Sequence, residues 1–371
     1  MKVLRICLTY PHDNTPGIGL PCYYHSLFSA NDEMIIIRKV DGVKFPVRKG
    51  VELVEIDVDN PILGKYNEST IKRIWKLFLK GKQQLTFLQK CKPVIKRFNP
   101  DIVHIYTPMP ILTGLWARKN TGAKLVMSLH GSDILRIKKN RIFDFCMEKP
   151  DAVLTVGKTM QDDFKHLKLR SPIVSIGNGV DMSTFTNLHQ ERNKQFIQVA
   201  SLRWQKGQDY LFDAFGKFYR KHNDFKLVMV GKGEDKEKLI ERARIGGYLE
   251  GVVFKGVMSR EEVANELNHS FAFILSSVTE GFPKVIIESM ATGTPVISTD
   301  VGNVADVVRD AGLIVPSKDT EALYEAMEKI ITSRDSWDML SKKSETYAQD
   351  YTWENVEKRL NNIYDELLCK K

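Results

Sequence analysis

Residues 271–302 read FAFILSSVTEGFPKVIIESMATGTPVISTDVG, and this stretch decides the fold. Its first five residues are apolar and predict a buried strand. A Gly/Pro turn follows, and a helical pattern begins near Lys284 and ends at Gly293. The next apolar run, after Pro295, predicts a second strand. Strand, turn, helix and strand make a βαβ unit, which belongs to a parallel sheet.

Two carboxylates flank the turn of this unit. Glu280 lies at the carboxyl end of the first strand and Glu288 lies early in the helix. Ligands of open parallel sheets bind outside the carboxyl ends of strands. The free N–H groups of a helix start near Lys284 suit a phosphate, and Pro283, placed at the first helical position, lacks only a spare donor. Two hydroxyl-binding carboxylates beside a phosphate site predict a nucleotide-sugar pocket.

A second motif, VASLRWQKG at 199–207, follows a predicted strand and opens a helix. Arg203 and Lys206 are three residues apart in this loop and can face one ligand. A diphosphate requires fixed positive charge, which Arg and Lys supply. The alternative is a pair of solvated surface cations.

Two motifs in the first half of the chain follow predicted strands. Gly17 and Gly19 lie in the loop PGIG after the first strand, where glycines allow the backbone to approach a phosphate or sugar closely. The loop is not a dinucleotide fingerprint, since Cys22 occupies the position of the third glycine. The second motif is HGSD at 130–133, directly after the strand predicted at 124–129.

Together these motifs, in their order along the chain, resemble those of retaining glycosyltransferases of family 4 (group 1), whose members often build bacterial surface polysaccharides. The resemblance implies the GT-B fold, in which two Rossmann-like doubly wound parallel-sheet domains (α/β) face a cleft and the C-terminal helix crosses back to the first domain. It departs from the common pattern at one point: Ser201 stands where an Arg is usual, and Arg203 follows two residues later.

The resemblance also implies the roles of individual residues. His130, Glu280, Arg203 and Lys206 are the expected catalytic residues, with His130 near the reacting carbon of the donor sugar. Ser132 and Asp133 face the acceptor. The expected donor-binding residues also include Val257 and Met258, which meet the base through main chain. The full donor-binding set is Gly17, Gly19, Arg203, Lys206, Val257, Met258, Glu280, Gly281, Phe282, Lys284, Val285 and Glu288.

The implied reaction transfers a hexosyl-type sugar from a nucleoside-diphosphate sugar, with a UDP-sugar favoured, to a hydroxyl of a glycan or lipid-linked acceptor. In similar enzymes the leaving phosphate assists deprotonation of the acceptor on the same face, so the resemblance implies no nucleophilic carboxylate. No cofactor or metal is expected. Asp57-Val58-Asp59 is interpreted as a solvated turn and not as a metal motif, and Asn178-Gly179 is explained equally well by a simple turn.

The 371 residues, with 43% apolar and 27% charged, fit two soluble domains. We expect the first domain at 1–183, with about 352–371 crossing back, and the second at 184–351. The polar stretch 183–194 is the expected linker. No apolar run approaches the roughly 20 residues that span a bilayer. The start of the chain is not a secretion signal, and the five scattered cysteines indicate reduced thiols, so we expect a cytoplasmic protein.

The net charge of +9 favours anionic partners. Ten Lys and Arg residues lie in 65–97 among apolar and aromatic residues, against one acid, Glu68. Such a segment can dock on the anionic cytoplasmic face of a membrane as a peripheral protein, or it can be an ordinary solvated helix face. Both interpretations stay open. Charge alone is nonspecific evidence for nucleic acid, which is not an expected partner.

Two rival functions remain. A sugar-nucleotide epimerase of similar fold would bind the same donor without an acceptor. A non-catalytic, membrane-associated assembly protein would have no use for the paired glutamates and Lys206.

Overall fold

The computed structural model describes residues 1–12, 19–58, 70–129, 141–158, 164, 169 and 173–369, with the backbone alone for 70–80 and 141–143. Within these ranges the chain divides into two compact units. The first comprises Met1–Ile176 with Val356–Lys371, and the second comprises Gly177–Asn355.

The first unit contains a seven-stranded parallel sheet. Its strands are β1 (Lys2–Cys7), β2 (Asp32–Arg38), β3 (Glu52–Ile56), β4 (Ile102–Ile105), β5 (Lys124–Leu129), β6 (Ala152–Thr155) and β7 (Ile173–Ser175). The strand order is β3-β2-β1-β4-β5-β6-β7. The order reverses direction between β1 and β4, as in a doubly wound sheet. The strands are almost wholly buried in the centre, which explains their continuous apolar runs.

The helices described in the first unit connect successive strands. They are α1 (Leu20–Leu27), α2 (Thr70–Phe98), α3 (Ile111–Thr121) and α4 (Arg141–Met147). In the part of α2 with described side chains, Phe87, Cys91 and Ile95 recur every four residues and are buried. This periodicity places one apolar stripe of α2 against the unit and leaves the basic side chains on the other face.

The second unit repeats the same plan. Its strands are β8 (Asn193–Val199), β9 (Lys226–Val230), β10 (Val252–Gly256), β11 (Ser270–Leu275), β12 (Val296–Thr299) and β13 (Gly312–Val315). They form a parallel sheet of order β10-β9-β8-β11-β12-β13. Its helices are α5 (Gln208–Tyr219), α6 (Lys236–Ile245), α7 (Arg260–His269), α8 (Lys284–Ala291), α9 (Val304–Val308), α10 (Thr320–Ile331) and α11 (Arg334–Ala348).

The last helix, α12 (Trp353–Cys369), begins in the second unit and ends in the first. Leu360 and Tyr364 are fully buried in a cluster with Val3, Ile102 and Val126 of the first sheet. The crossing of the C-terminal helix back to the first domain, expected from the resemblance, is confirmed, as is the class of two doubly wound α/β domains. Helices α11 and α12 are joined by the short 3-10 turn Gln349–Tyr351.

The prediction of a linker between the domains at 183–194 is wrong. Residues 183–192 lie inside the second unit, whose boundary falls at Ile176 and Gly177. The polar side chains of this stretch fix it to the unit. Asn187 donates to Glu345 at 2.8 Å, and the Arg192 guanidinium donates to the carbonyls of Leu267 and Thr292 at 2.8 and 2.7 Å. A polar and largely exposed stretch can therefore belong to a domain, because a few of its side chains make long-range hydrogen bonds to the rest of that domain.

Three further observations concern the sequence predictions. Helices α4 and α9 were not predicted, since runs of seven and five residues are too short for a clear periodicity. All five cysteines are free thiols, and four of them are buried. Within the described part of the chain, no helix combines the length and the apolar character that crossing a bilayer requires.

Candidate functional site

The two loops with the predicted charged residues start from neighbouring strands. β8 and β11 pair in parallel at the point where the strand order of the second sheet reverses. The loops 200–207 and 276–283 therefore leave the sheet side by side at the same edge. They are joined by hydrogen bonds from Val278 N to the Gln205 carbonyl at 2.8 Å, and from Ser276 Oγ to the Lys206 carbonyl at 2.9 Å. This crossover is where doubly wound sheets bind ligands.

Gly207 is required for this close approach. Its φ is +63°, and a Cβ at this position would lie 1.9 Å from the Ser276 carbonyl oxygen. Only glycine avoids both the left-handed strain and the backbone clash. Ser276 Oγ, which is fully buried, also accepts from Gln198 Nε2 at 2.9 Å. A buried side chain of β8 thus supports the loop that carries Lys206.

Lys206 and Glu280 form an ion pair across the two loops. Lys206 Nζ lies 2.5 Å from Glu280 Oε1, and the same oxygen accepts from Ser277 Oγ at 2.6 Å. The Glu280 side chain is 10% exposed and that of Lys206 is 26% exposed. Sequence reasoning assigned both residues to one site, and the structure brings them together. Both groups remain partly accessible, so Lys206 can bind an incoming anion and Glu280 can accept a hydrogen bond from an incoming hydroxyl.

Arg203 is exposed, and none of the described side chains pairs with its guanidinium. Its carbonyl accepts from Lys206 N at 2.8 Å, closing the turn Trp204–Lys206. Ser201, at the usual position of the family arginine, offers its carbonyl to Gln208 Nε2 at 3.0 Å. Arg203 therefore lies on the loop of Lys206, and its guanidinium is free to turn toward an anion bound there.

The start of α8 provides backbone donors. The helix begins at Lys284, and none of the side chains that the structure describes caps it. Pro283 was predicted at the first helical position, but its extended backbone, with φ −78° and ψ 96°, makes it the residue before the helix. A residue preceding the helix needs no N–H for the helical ladder, so the proline costs nothing there. Burial lowers the pKa of Lys284, although Glu288 opposes this shift.

The other predicted residues of this turn have mainly structural contacts. Phe282 and Val285 pack against the apolar cluster beneath α8, and the Phe282 ring lies 6.0 Å from that of Tyr351. The Gly281 carbonyl accepts from Asn303 Nδ2 at 3.1 Å. These contacts fix the backbone of the turn, so any contribution to a ligand comes from main-chain atoms.

Glu288 lies one turn into α8 with 12% of its side chain exposed. Burial raises the pKa of this carboxyl, while Arg260 and Lys284 lower it and Asp181 raises it further. Arg260 Nη1 lies 3.5 Å from Glu288 Oε1. The contact with Arg260 was not foreseen from the sequence. A possible signal was the placement of an arginine at the first position of a helix, where acids are preferred.

Val257 and Met258 follow β10 and precede α7. Val257 is 67% exposed, whereas Met258 packs against the same apolar cluster as α8. Since all strands of this sheet are parallel, the end of β10 lies at the same edge as the ends of β8 and β11. Both residues therefore lie at this edge of the sheet, shortly before Arg260 in the chain.

In the first unit, only Gly19 of the predicted loop glycines is described. It has φ +78°, and a Cβ would lie 2.5 Å from the Thr9 carbonyl oxygen and 2.8 Å from Tyr10 Cα. These contacts require glycine for packing, whether or not a ligand approaches. Gly17, His130, Ser132 and Asp133 lie outside the described residues. In the described ranges, no group of three or more His, Cys, Asp or Glu side chains is arranged to hold a metal ion.

Two family profiles match the chain. The profile described as glycosyltransferase family 4 matches residues 51–184, and that described as glycosyl transferases group 1 matches residues 181–347. Together they span residues 51–347. The Lys206, Glu280 and Glu288 site falls wholly within the second match.

Individual proteins agree with these profiles. An uncharacterised glycosyltransferase of Methanocaldococcus jannaschii is 26% identical over 284 residues, covering 74% of this chain and 78% of that protein. N-acetyl-alpha-D-glucosaminyl L-malate synthase of Bacillus anthracis is 24% identical over 324 residues, covering 82% and 84%.

Among solved structures, Anabaena HepE in complex with UDP superposes with a TM-score of 0.73 at 16% identity, covering 99% of this chain and 100% of that one. At this identity the likeness concerns the fold, which is the GT-B arrangement of two parallel-sheet domains. The two profiles, which together span most of the chain, identify it as a glycosyltransferase of the family 4 and group 1 class, in agreement with the curated relatives.

Proposed function

We propose that this protein transfers a hexosyl-type sugar from a nucleoside-diphosphate sugar to a hydroxyl group, with retention of configuration at the transferred carbon. One observation carries the proposal: the Lys206–Glu280 pair, the start of α8 and the largely buried Glu288 all lie on the loops and helix that follow β8 and β11, at the crossover of the second sheet. This combination matches the three parts of such a donor, namely diphosphate, sugar and ribose.

The proposed binding mode assigns a group of protein atoms to each part of the donor. Lys206, Arg203 and the N–H groups at Lys284 and Val285 receive the diphosphate, since cations and uncapped helix starts both stabilise anions. Glu280 accepts a hydrogen bond from a hydroxyl of the transferred sugar. Glu288 accepts hydrogen bonds from the ribose hydroxyls. The loop at Val257 and Met258 meets the base through main-chain groups.

In the proposed reaction, the bond between the sugar's anomeric carbon and the terminal phosphate oxygen breaks, and a bond to the acceptor oxygen forms on the same face. The nucleoside diphosphate leaves with the electron pair, and the acceptor proton passes to its phosphate oxygen. Lys206, Arg203 and the α8 start stabilise the charge that grows on the leaving group. In this proposal His130 lies near the reacting carbon of the donor sugar, and Ser132 and Asp133 face the acceptor. No metal or other cofactor is part of it.

UDP-sugars are the first donors to test, because the similar Anabaena fold was solved with UDP. The proposed acceptor is a glycan or a lipid-linked glycan. The Bacillus anthracis relative, by its name, joins a glucosaminyl group to malate, so the class admits small hydroxy acceptors as well. Surface polysaccharide or lipopolysaccharide synthesis in the cytoplasm is the proposed setting.

The experiment measures the thermal stability of the purified protein with UDP-, GDP- and ADP-sugars, with Glu288→Gln as the matched control. A ligand at 100 times its Kd adds about 2.7 kcal/mol to the free energy of unfolding. We expect a shift with one nucleotide class that is lost in the control. If none of the donors shifts the transition, the donor site is disproved and a non-catalytic assembly protein becomes the better interpretation. Donor interconversion without transfer would instead indicate the epimerase.

A second proposal concerns the basic helix. We propose that the basic segment at 65–97 attaches the protein to anionic lipid as a peripheral protein. In its described part, Phe87, Cys91 and Ile95 are buried within the unit, so the contact relies on exposed Lys82 and Lys96 and not on an inserted apolar face. Each Lys or Arg near an anionic surface contributes about 1 kcal/mol.

Sedimentation with anionic and with neutral vesicles tests this attachment. We expect Lys82→Gln/Lys96→Gln to reduce binding to anionic vesicles and to leave the donor-induced thermal shift unchanged. Binding that the double variant does not alter, or that is equal on neutral vesicles, would contradict attachment through this face.

A further inference from the structure

Arg260 breaks a local rule of helix sequence. It is the first residue of α7, and the helix dipole places partial positive charge there, which disfavours a cation. The rest of this turn follows the rule closely. Ser259 Oγ accepts from Glu262 N at 3.1 Å and Glu262 Oε2 accepts from Ser259 N at 2.7 Å, a complete capping box. Exceptions of this kind concentrate at functional sites.

Two contacts hold the Arg260 guanidinium in one place. Its central carbon lies 5.0 Å from the centre of the Phe185 ring, and its Nη1 lies 3.5 Å from Glu288 Oε1. Phe185 is 1% exposed and belongs to the core beneath α8, so the ring is a fixed platform. Arginine stacks on aromatic faces while its edge remains available for a carboxylate. The side chain is 31% exposed, so the guanidinium also faces solvent.

The charges around Glu288 come from three elements. Lys284 is on the same helix one turn earlier, Arg260 opens α7, and Asp181 precedes the loop of Phe185. Burial raises the pKa of Glu288, and Arg260 is the larger of the two cationic influences that oppose it. Burial also lowers the pKa of Lys284, so the nearest cation on its own helix is itself less firmly charged.

We propose that Arg260 is a positioning residue that holds the Glu288 carboxylate charged and oriented for the ribose hydroxyls of the donor. This inference rests on the proposed function, because it assigns the ribose to Glu288. Arg260 acts through Glu288 and not on the reacting atoms. The carboxylate would otherwise be shielded from water with only Lys284 beside it, and a protonated carboxyl offers fewer acceptor sites to a ribose diol.

The test measures the Kd of UDP, GDP and ADP by calorimetry from pH 5.5 to 8.5, and takes forward the nucleotide that the wild type binds. For Arg260→Leu we expect the Kd to rise roughly tenfold at the acid end and much less at the alkaline end, since each unit of pKa shift corresponds to a tenfold change. Arg260→Lys keeps the charge but loses the planar stack, so it should restore most of the affinity at neutral pH. Arg260→Gln is measured in parallel, so that the result does not depend on the folding of the leucine variant.

The decisive comparison uses the 2′,3′-dideoxy form of the same nucleotide. If Arg260 acts through Glu288 on the ribose hydroxyls, Arg260→Leu weakens the natural nucleotide and leaves the dideoxy form unchanged. Arg334→Leu is the matched control, because Arg334 also stacks on an aromatic ring, that of Trp337, and pairs with Asp338. Trp337 bonds to the Phe271 carbonyl at the amino end of β11, away from the carboxyl-end loops.

Each outcome separates this inference from the proposed function. Equal weakening of the natural and dideoxy nucleotides, or a change that does not depend on pH, overturns the role of Arg260 and leaves the donor site in place. The same holds if Arg260→Leu behaves like Arg334→Leu. If the wild type binds none of the three nucleotides while it remains folded, the proposed function fails, and the role of Arg260 fails with it.

Discussion

In the first unit, Arg5 on β1 is fully buried and donates to Glu33 Oε1 at 3.0 Å and to Glu357 Oε1 at 3.0 Å. In the second unit, Lys206 and Glu280 lie just beyond β8 and β11 and keep part of their surface in solvent. β1 and β8 occupy the same place in their sheets, beside the reversal of strand order. The charges around Arg5 are buried in the core of the first unit, whereas Lys206 and Glu280 lie at a solvent-accessible edge of the second sheet.

Pairs of the same charged groups therefore serve two different purposes in the two units. In the first unit, His25 Nδ1 lies 2.7 Å from Glu357 Oε2 and Tyr106 accepts from Arg5 at 2.7 Å, so each charged side chain already has a protein partner, although Glu33 Oε2 has none among the described residues. Buried charges of this kind are costly to separate. In the second unit, Lys206 pairs with Glu280, which also accepts from Ser277, and both charged side chains keep an exposed side that leaves room for a ligand. The following predictions separate the two.

The largest expected effect is on stability, from the first unit. Glu357→Gln leaves the buried Arg5 with one carboxylate, and we expect a loss of about 3–5 kcal/mol in the free energy of unfolding. Chemical denaturation measures this loss. Glu366→Gln, an exposed glutamate on the same helix α12, is the control and should change stability by less than about 0.5 kcal/mol. Equal effects of the two variants would mean that the Arg5 network contributes no special stability.

The next effect is on activity, from the second unit. Lys206→Ala removes a cation from the proposed leaving group, and we expect kcat/KM to fall by about 10²–10³. The free energy of unfolding should change by no more than about 1 kcal/mol, as for a partly exposed ion pair. Lys217→Ala, which removes the partner of Glu321 on the surface of the same unit, should leave activity intact. A variant that loses stability in place of turnover would make Lys206 structural.

Gly207→Ala tests the backbone approach that joins the two loops. The added Cβ meets the Ser276 carbonyl, which cannot move without disturbing β11. Gly247→Ala is the matched control, with a similar φ of +72° and open space around the Cβ. We expect the control to lose about 1–2 kcal/mol and Gly207→Ala to lose a further 1–3 kcal/mol, approximately, together with donor affinity. Thermal denaturation and nucleotide binding give both values, and equal losses would contradict the clash.

The smallest effect concerns pH, which acts on the two units in opposite directions. Burial lowers the pKa of His25; although burial by itself raises that of Glu357, Arg5 and the His25 bond bring it below its ordinary value. The unfolded chain therefore takes up more protons as the pH falls, and acid destabilises the first unit. For Glu288 the pKa is raised by burial, so the folded state keeps a proton that the unfolded state has lost, and rising pH destabilises the second unit.

Glu288→Gln isolates this second contribution. We expect the variant to be more stable than the wild type at pH 8, by about 1.4 kcal/mol for each unit of the raised pKa. The gain should vanish near pH 4, because Glu288 is then protonated in both states, its ordinary value being 4.5. Thermal denaturation at pH 4, 6 and 8 measures the trend. A uniform loss of stability at all three pH values would show that Arg260 and Lys284 compensate the burial completely.

Much of the fold could be predicted because strands buried on both faces and helices with one apolar stripe leave clear periodicities. Strand β5 begins and ends at the predicted residues, and helix α8 begins at the predicted Lys284. The short helices α4 and α9 could not be predicted, and neither could the attachment of 183–192 to the second unit. In the latter case the polar residues make hydrogen bonds to residues 75 and 158 positions away, which no local pattern reveals.

For the site, local order in the sequence determined that Lys206, Glu280 and Glu288 follow strands of one sheet, because each lies at a strand–turn–helix junction. Only the tertiary structure decided which of these charges meet: β8 and β11 are neighbours although more than seventy residues separate their loops. It also decided that Arg260 contacts Glu288 and that Arg5 is enclosed while Lys206 is not. The sequence shows where the charged residues lie along the chain, but the burial of their side chains and the partners they contact depend on segments that are distant in sequence.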